Sequence, residues 1–514
     1  MKRLHFYNRI VLFAVAIILQ LLVLVGFILW FNQYYAVFYA VNILISIAAV
    51  IWILNNKSNP AYKIAWIIPI MLFPIFGGLF YLLLGGNKAG RRAKERMQPI
   101  LCRTAERLDL SKGCMEAIRE QDGNAGNQSE YIRRYSCYPP YRNIEAEYLP
   151  SGEVKFARLL EELKKAERFI FLEYFIVQEG LMWNSILEIL KEKAASGVDV
   201  RVIYDGAGCL TTLPYKYNKK LESMGIKCGV FYPMIPILSA RLNHRDHRKI
   251  AVIDGHTGFT GGINLADEYI NEVNKYGHWK DAGIMIKGQA VWSLTVMFLS
   301  VWDYIKGSSD DPELYRPYGA YAQAGGDGAI AYDGYVQPFG DSPLDDEPVA
   351  GSVYLNLINR AKKYVYITTP YLVIDNEMVT ALCLAAKSGV DVRIITPYHW
   401  DKKLVHAVST SYYRMLVESG VRIYEYLPGF IHSKMFVVDD EYGLVGTINM
   451  DYRSFYLNFE CGIWLYLCSC ILAMKKDFQE TMEVCKEITI EELKKIPLPK
   501  VLTMSVLRVF APFM

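Results

Sequence analysis

The chain has 514 residues, 52% of them hydrophobic, with a formal net charge of +3 and a mean hydropathy of +0.13. That length exceeds one ordinary core and suffices for two lobes with additional segments. A charge this close to balance excludes a chain that is basic or acidic throughout, so overall charge identifies no partner. The ten cysteines contain no CxxC pair, and Cys468-x-Cys470 lacks a second pair to complete a zinc site. They read as reduced thiols facing the cytosol.

The apolar excess is concentrated in the first 84 residues. Residues 10–31 carry no charge and hold only Gln20 as a strongly polar residue. A helix of that length crosses a bilayer core of about 30 Å. The run is longer than the core of a signal peptide and lacks a small-x-small cleavage site at its end. Asn32-Gln33-Tyr34-Tyr35 then makes a polar turn with interfacial tyrosines, and residues 36–54 are a second uncharged span broken by Asn42 and Ser46. The two read as a transmembrane helical hairpin.

A third apolar stretch, 64–84, contains Pro69, Pro74, Gly77 and Gly78, which weaken a straight helix. Lys2, Arg3 and Arg9 precede the first span, and Lys57 and Lys63 follow the second. Lys88, Arg91, Arg92, Lys94, Arg96 and Arg103 follow the third. The positive-inside rule assigns all three clusters to the cytoplasmic side, which two crossings satisfy and three do not. Residues 64–84 are therefore expected to be re-entrant or interfacial, a third full span being the competing reading on length alone. Residues 1–86 form the membrane region, and 87–139 a basic juxtamembrane linker lying against anionic headgroups.

Further along, Ser196-Gly-Val-Asp-Val-Arg201 recurs letter for letter as Ser388-Gly-Val-Asp-Val-Arg393. Each copy joins a helical pattern to a strand, and the neighbouring patterns match as well. A repeat of this length is domain duplication, not a solenoid. The lobes are expected at 140–310 and 335–485, with an inter-lobe linker at 311–334. The tail, 486–514, is too short to span a bilayer and is either interfacial or packed on the lobes.

Each lobe contains one spaced set of polar residues. In the first, His247-x-Lys249 precedes Asp254 and Gly261-Gly-Ile-Asn264; in the second, His432-x-Lys434 precedes Asp439 and Gly446-Thr-Ile-Asn449. Residues two apart on a strand share a face, so each His points with its Lys. The Gly-rich return brings Asn264 and Asn449 back beside them. An ammonium and an amide donor suit the oxygens of a phosphate. Two imidazoles on opposite sides of one phosphorus supply a nucleophile and a general acid, with no metal required. Asp254 and Asp439 complete the motif and are counted with the catalytic set, although their position at strand ends points to structural support.

These paired sequences resemble the HxKxxxxD signatures of the phospholipase D superfamily, and the layout resembles bacterial cardiolipin synthase. The supporting features are the hydrophobic hairpin, Asn59-Pro60 with Trp66, Pro74, Gly77-Gly78 and Tyr81, then Trp279-Lys280-Asp281 and Asn449-x-Asp451-x-Arg453-Ser454. The resemblance covers nearly the whole chain. It departs at the family's Gly-Ser, here Gly261-Gly262 and Gly446-Thr447, so that position cannot carry equal weight in both lobes.

The resemblance implies an α/β fold of two repeated phospholipase D-like lobes, each a mixed β-sheet flanked by helices, related by a pseudo-twofold axis. It implies a ping-pong reaction through a phosphatidyl-histidine, in which one phosphatidylglycerol releases glycerol and a second accepts the phosphatidyl group, giving cardiolipin. By analogy His247 is the nucleophile and His432 the general acid and then base; near-symmetry leaves the reverse open. Asp281 and Glu460 are implied as carboxylates that orient the imidazoles. The implied setting is a bacterial cytoplasmic membrane with the lobes on its cytoplasmic side, with no cofactor and no nucleic acid. A phospholipase D-type hydrolase using water is the alternative, which the motifs do not separate.

Overall fold

Runs rich in Val, Ile, Tyr and Phe, such as Phe169–Tyr174 and Tyr364–Thr368, are buried at every position and stand inside two mixed sheets. In this computed structural model the described residues are 35–56, 59–72, 81, 88–108, 112–233, 243–308, 311–317, 334–345 and 347–514, with isolated positions between 18 and 30. The first sheet runs Glu145–Leu149, Gly283–Lys287, Thr257–Gly261, Lys249–Ile253, Phe169–Tyr174, Asp199–Asp205, Lys227–Phe231. The second repeats that order as Tyr335–Asp341, Asn458–Tyr466, Tyr442–Gly446, Met435–Val438, Tyr364–Thr368, Asp391–Pro397, Arg422–Tyr426. In both, the last three strands are parallel and the remaining pairs antiparallel.

The repeated hexapeptide occupies one equivalent corner in each lobe. Helices Leu181–Ala195 and Asn376–Lys387 end there, and the chain turns into a parallel strand through Gly197 and Gly389, at φ 92° and 94°. A side chain is disfavoured at those angles, so the turn requires glycine.

Helix Val291–Lys306 is the most apolar of the long helices of the lobes, and it is buried continuously from Val291 to Tyr304. Phe298 stacks on Phe171 of the first sheet at 4.5 Å, while Met297 faces Gly340 of the second. Its hydrophobicity on all sides follows from being covered on all sides by protein.

Several segments differ from their sequence reading. Residues 87–139, read as a linker, form helices Lys88–Leu108, Lys112–Gln121 and Gly123–Ser136. Ala93, Met97, Ile100 and Leu108 are buried in the core, a helical spacing hidden by the basic composition around it. Ser129 then donates to Gln337 of the second sheet at 2.7 Å. Tyr141–Arg142, assigned to the first lobe, instead pairs with Tyr335 and Val336 at the edge of the second sheet. Two residues are too few to carry a strand signal. At the far edge, Cys485–Glu487 extends the same sheet beyond 485. Of the inter-lobe linker, Pro312–Tyr315 is a 3-10 turn whose Tyr315 packs on Phe169 and Phe171 at 5.0 Å, and 318–333 lie outside the described residues.

Of the first expected span, 10–31, only scattered positions from 18 to 30 are among the described residues. Helix Tyr35–Asn55 covers the second and is uncharged along its 21 residues. Over the described residues, no helix is long and apolar enough to cross a membrane. The third stretch starts earlier than read: helix Pro60–Leu72 begins at Pro60, where a missing N–H costs nothing, and Asn59 Oδ1 accepts from Ala61 N at 2.9 Å. Residues 73–80 and 82–87, with Pro74, Gly77 and Gly78, lie outside the described residues. Asn59 also donates to Tyr456 at 3.0 Å, tying this helix to the second lobe.

Asp254 and Asp439, counted with the catalytic set, stand at the opposite strand ends from the histidines. The five residue steps from Lys249 to Asp254 span about 16 Å of extended chain. Both aspartates adopt positive φ, 52° and 55°, and turn their carboxylates back onto backbone N–H groups. Asp254 accepts from Glu167, Arg168 and Phe169 at 2.8, 2.8 and 2.9 Å. Asp439 accepts from Lys362, Lys363 and Tyr364 at 2.6, 2.9 and 2.8 Å. Each staples a neighbouring central strand at its start. Asp254→Ala is expected to lower unfolding free energy by about 1–3 kcal/mol, since it leaves three backbone donors unmatched, that of Phe169 fully buried. Denaturant unfolding of the detergent-solubilised protein checks this; an unchanged midpoint would remove the structural assignment.

Candidate active site at the lobe interface

Two short parallel bridges join the lobes and set the site. Gly429–Ile431 pairs with His278–Lys280, ending at Ile431↔Lys280, and Arg245–Asp246 pairs with Asn458 and Phe459. One residue further along each register, an imidazole meets a carboxylate of the opposite lobe. His247 N donates to Phe459 O at 3.0 Å, and its Nδ1 lies 2.9 and 3.0 Å from the two oxygens of Glu460. His432 N donates to Lys280 O at 2.7 Å, and its Nδ1 lies 2.7 Å from Asp281 Oδ2. From the sequence, each carboxylate follows its own lobe's motif; in space, each serves the other lobe's histidine.

The lysines lie beneath. Lys249 and Lys434 are buried, and their Nζ atoms donate to the carbonyl oxygens of His247, at 2.5 Å, and of His432. Asn264 is fixed by its Oδ1 accepting from Ile176 N at 3.0 Å and its Nδ2 donating to Tyr269 at 2.7 Å. Asn449 is buried, and its Oδ1 has no partner among the described residues. Aromatic rings wall the imidazoles: Phe175 lies 5.1 Å from His247, and Trp279 and Tyr269 lie 5.4 and 5.7 Å from His432.

Convergence of the two motifs also appears in their electrostatics. Burial pushes the His247 imidazole down to about 4 against the pull of Glu460, and both Lys249 and Lys434 add to the push. Burial likewise pushes His432 down to about 3; Lys434 and Lys249 add to that, and Asp281 opposes it. Each imidazole thus feels the lysine of the other lobe. Burial lowers Lys249 to about 8 and Lys434 to about 7, partly offset by Glu460 and Asp281 respectively. Burial alone would raise Asp281 and Glu460, but the facing histidines and lysines hold both carboxyls below their ordinary range.

The Gly-Gly and Gly-Thr difference has a steric origin. A Cβ at position 262 would stand 2.0 Å from Asp281 Oδ1, so only glycine leaves room for that carboxylate. In the other lobe the longer Glu460 leaves room for Thr447, whose Oγ1 donates to Glu460 Oε2. Residues 262 and 281 are therefore matched as one pair, and 447 and 460 as another. Both members of each pair were visible in the sequence; that they touch was not. Lys155 was not singled out from the sequence. It is fully buried beneath the turn bearing Asn264, donating to Ile263 O at 3.0 Å, while Tyr354 donates to the equivalent Ile448 O at 2.8 Å.

A sequence model described as cardiolipin synthase, PLD-like domain, matches residues 159–293 and 354–482, and one described as phospholipase D-nuclease N-terminal matches 44–86. A cardiolipin synthase of Geobacillus kaustophilus is 37% identical over 91% of this chain and 92% of its own length. An uncharacterised Streptococcus mutans protein is 42% identical over 91% of this chain and 100% of its own. A phosphatidylserine synthase structure from Haemophilus influenzae shares the fold with a TM-score of 0.57 at 16% identity, covering 76% of this chain and 100% of that one. The chain belongs to the cardiolipin synthase family of the phospholipase D superfamily.

Replacing either carboxylate by its amide keeps the shape and removes the charge that selects the imidazole tautomer. Asp281→Asn and Glu460→Gln are each expected to lower kcat by about 10²–10⁴-fold. Gly262→Thr is expected to act like Asp281→Asn, because the added side chain displaces that carboxylate. Steady-state kinetics on folded variants checks this, and a near-normal kcat for either amide would contradict an orienting role.

Proposed function

We propose that this protein is a cardiolipin synthase, transferring a phosphatidyl group from one phosphatidylglycerol to another and releasing glycerol. The observation that carries the reading is the pair of crossed imidazole–carboxylate contacts, with both lysines in electrostatic reach of both rings. A ring that donates its Nδ1–H to a carboxylate keeps its Nε2 free to react.

In this mechanism His247 Nε2 attacks phosphorus, the P–O bond to glycerol breaks, and His432 passes a proton to the departing oxygen. The hydroxyl of a second phosphatidylglycerol then gives its proton to His432 and displaces His247, restoring both rings. Lys249, Lys434, Asn264 and Asn449 carry the charge on the non-bridging oxygens. An anionic diester entering beside them raises the proton affinity of His432 enough for it to act as acid. The aromatic walls favour an alcohol over water as acceptor, because they exclude solvent from the reacting phosphorus.

The same reading has the lobes held at the cytoplasmic face of a bacterial membrane by the uncharged N-terminal segments. On helix Tyr35–Asn55, Leu44, Ile47, Ile51 and Leu54 are 51–67% exposed, a surface suited to lipid rather than water. A reporter fused after Arg103 is expected on the cytoplasmic side.

With labelled phosphatidylglycerol and no added metal, the purified protein is expected to yield cardiolipin and glycerol. Phosphatidic acid as the sole product would instead identify a hydrolase. His247→Ala and His432→Ala are each expected to abolish turnover, and mapping of trapped label under neutral to alkaline conditions, where a histidine phosphorus–nitrogen bond survives, is expected to find it on His247.

The pH profile follows from the shifts. The nucleophile must be neutral, which holds above about pH 4 for His247. His432 must hold a proton in the substrate complex, which rising pH removes, and the lysines must be charged, which holds below about 7 for Lys434 and 8 for Lys249. kcat/KM is expected to rise through acid pH, hold a plateau and fall between pH 7 and 9. A plateau extending unchanged beyond pH 9 would contradict both the lysine assignment and the role of His432 as acid.

A further inference from the structure

Helix Leu498–Val509 turns Met504 into the protein, and Arg508 lies 4.2 Å over the Tyr412 ring. Its outer side carries Leu498, Leu502 and Val506, which are 70, 58 and 60% exposed. Spaced four apart, these three side chains form one stripe along the helix. The fold itself gives that stripe no partner among the described residues.

The charge around it is one-sided. From Leu493 to Met514 the chain carries Lys494, Lys495, Lys500 and Arg508 and no acidic residue. Behind the helix is a cleft of about 460 Å³ lined by Lys403, His406 and Lys500, with Trp400 and Ile496 among its apolar walls. Of its two carboxylates, Glu492 is paired with Lys486 at 2.7 Å, and burial pushes Glu425 up to about 7. The cleft is therefore left with a surplus of positive charge.

The helix is also continuous with the membrane-proximal part of the chain. Phe513, just past its end, packs edge-on against Trp66 and Tyr62 at 4.9 and 6.2 Å. Those rings belong to helix Pro60–Leu72, which exposes Ile64, Met71 and Leu72 at 55–67%. Apolar side chains at four-residue spacing, flanked by lysine and arginine, are the signature of a helix lying in the plane of a membrane surface.

We propose that helix Leu498–Val509 is a second attachment to the bilayer, distinct from the catalytic centre. Its stripe enters the boundary between headgroups and acyl chains of an anionic membrane, and Lys403 and Lys500 hold lipid phosphates at the mouth of the cleft. This rests on the reading that the enzyme works at a membrane. Two attachments, one at each end of the chain, hold the lobes at a constant tilt, so that the interface between them stays open to lipid.

The test uses the full chain in proteoliposomes of phosphatidylglycerol and phosphatidylcholine with brominated acyl chains. An environment-sensitive fluorescent amino acid is introduced at Leu502, or at Leu472 as an exposed control on helix Cys470–Glu483 of the second lobe. Quenching at 502 is expected to be about threefold or more above that at 472. The double variant Lys403→Glu, Lys500→Glu is expected to reduce quenching at 502 in vesicles that contain phosphatidylglycerol. Equal quenching at the two positions overturns the proposal. So does a label at 502 shielded from aqueous iodide but not quenched by brominated lipid, which would mean that a second copy of the chain covers the stripe. An unaltered signal in the double variant overturns the headgroup assignment. None of these readouts requires turnover, so a failure of the proposed reaction leaves them interpretable.

Discussion

The structure depends on a swap: the carboxylate that follows one lobe's motif bonds the imidazole of the other lobe. Glu460 on His247 and Asp281 on His432 are buried, charge-assisted contacts, and neither lobe can orient its own histidine alone. The duplication is therefore functional as well as architectural. A buried carboxylate without its imidazole, or the reverse, is costly, so these contacts also hold the lobes in register. The two parallel bridges that place them involve only two or three residues each, and the lobes are also joined by helix Val291–Lys306, which packs on both sheets, and by Lys280–Asp477 at 2.6 Å.

Burial has opposite effects on the groups at this centre. It depresses both the imidazoles and the lysines; in the proposed reaction the first keeps a nucleophile neutral and the second weakens the hold on phosphate as pH rises. The paired carboxylates offset part of both effects. Two cations and two anions in one desolvated site leave it near neutrality, so an arriving phosphodiester meets preorganised donors without displacing a bound counter-ion.

The lobes are similar in topology yet differ at the atoms that matter. Gly262 admits Asp281 and Thr447 admits Glu460; exchanging one member without the other would cause a clash or leave a carboxylate unsupported. Lys155 and Tyr354 likewise tie equivalent carbonyls with different chemistry. In the proposed reaction, divergence of this kind lets two near-identical histidines take different roles.

Much of this was legible in the sequence. The hexapeptide repeat, the two HxKxxxxD motifs and their asparagines identified two α/β lobes, because strand and turn periodicities are local properties of the chain. The helices of 87–139 were obscured by their charge, and Tyr141–Arg142 by its brevity, since its strand exists only where a partner edge is available. Asp254 and Asp439 sit inside the motif, so spacing grouped them with the histidines; the extended strand between carries them to its other end. Only the tertiary structure decided which carboxylate serves which imidazole and why residue 262 must be glycine. Those contacts join residues 213 and 151 positions apart across an interface, or depend on the volume of a neighbour, and neither is encoded in any local pattern.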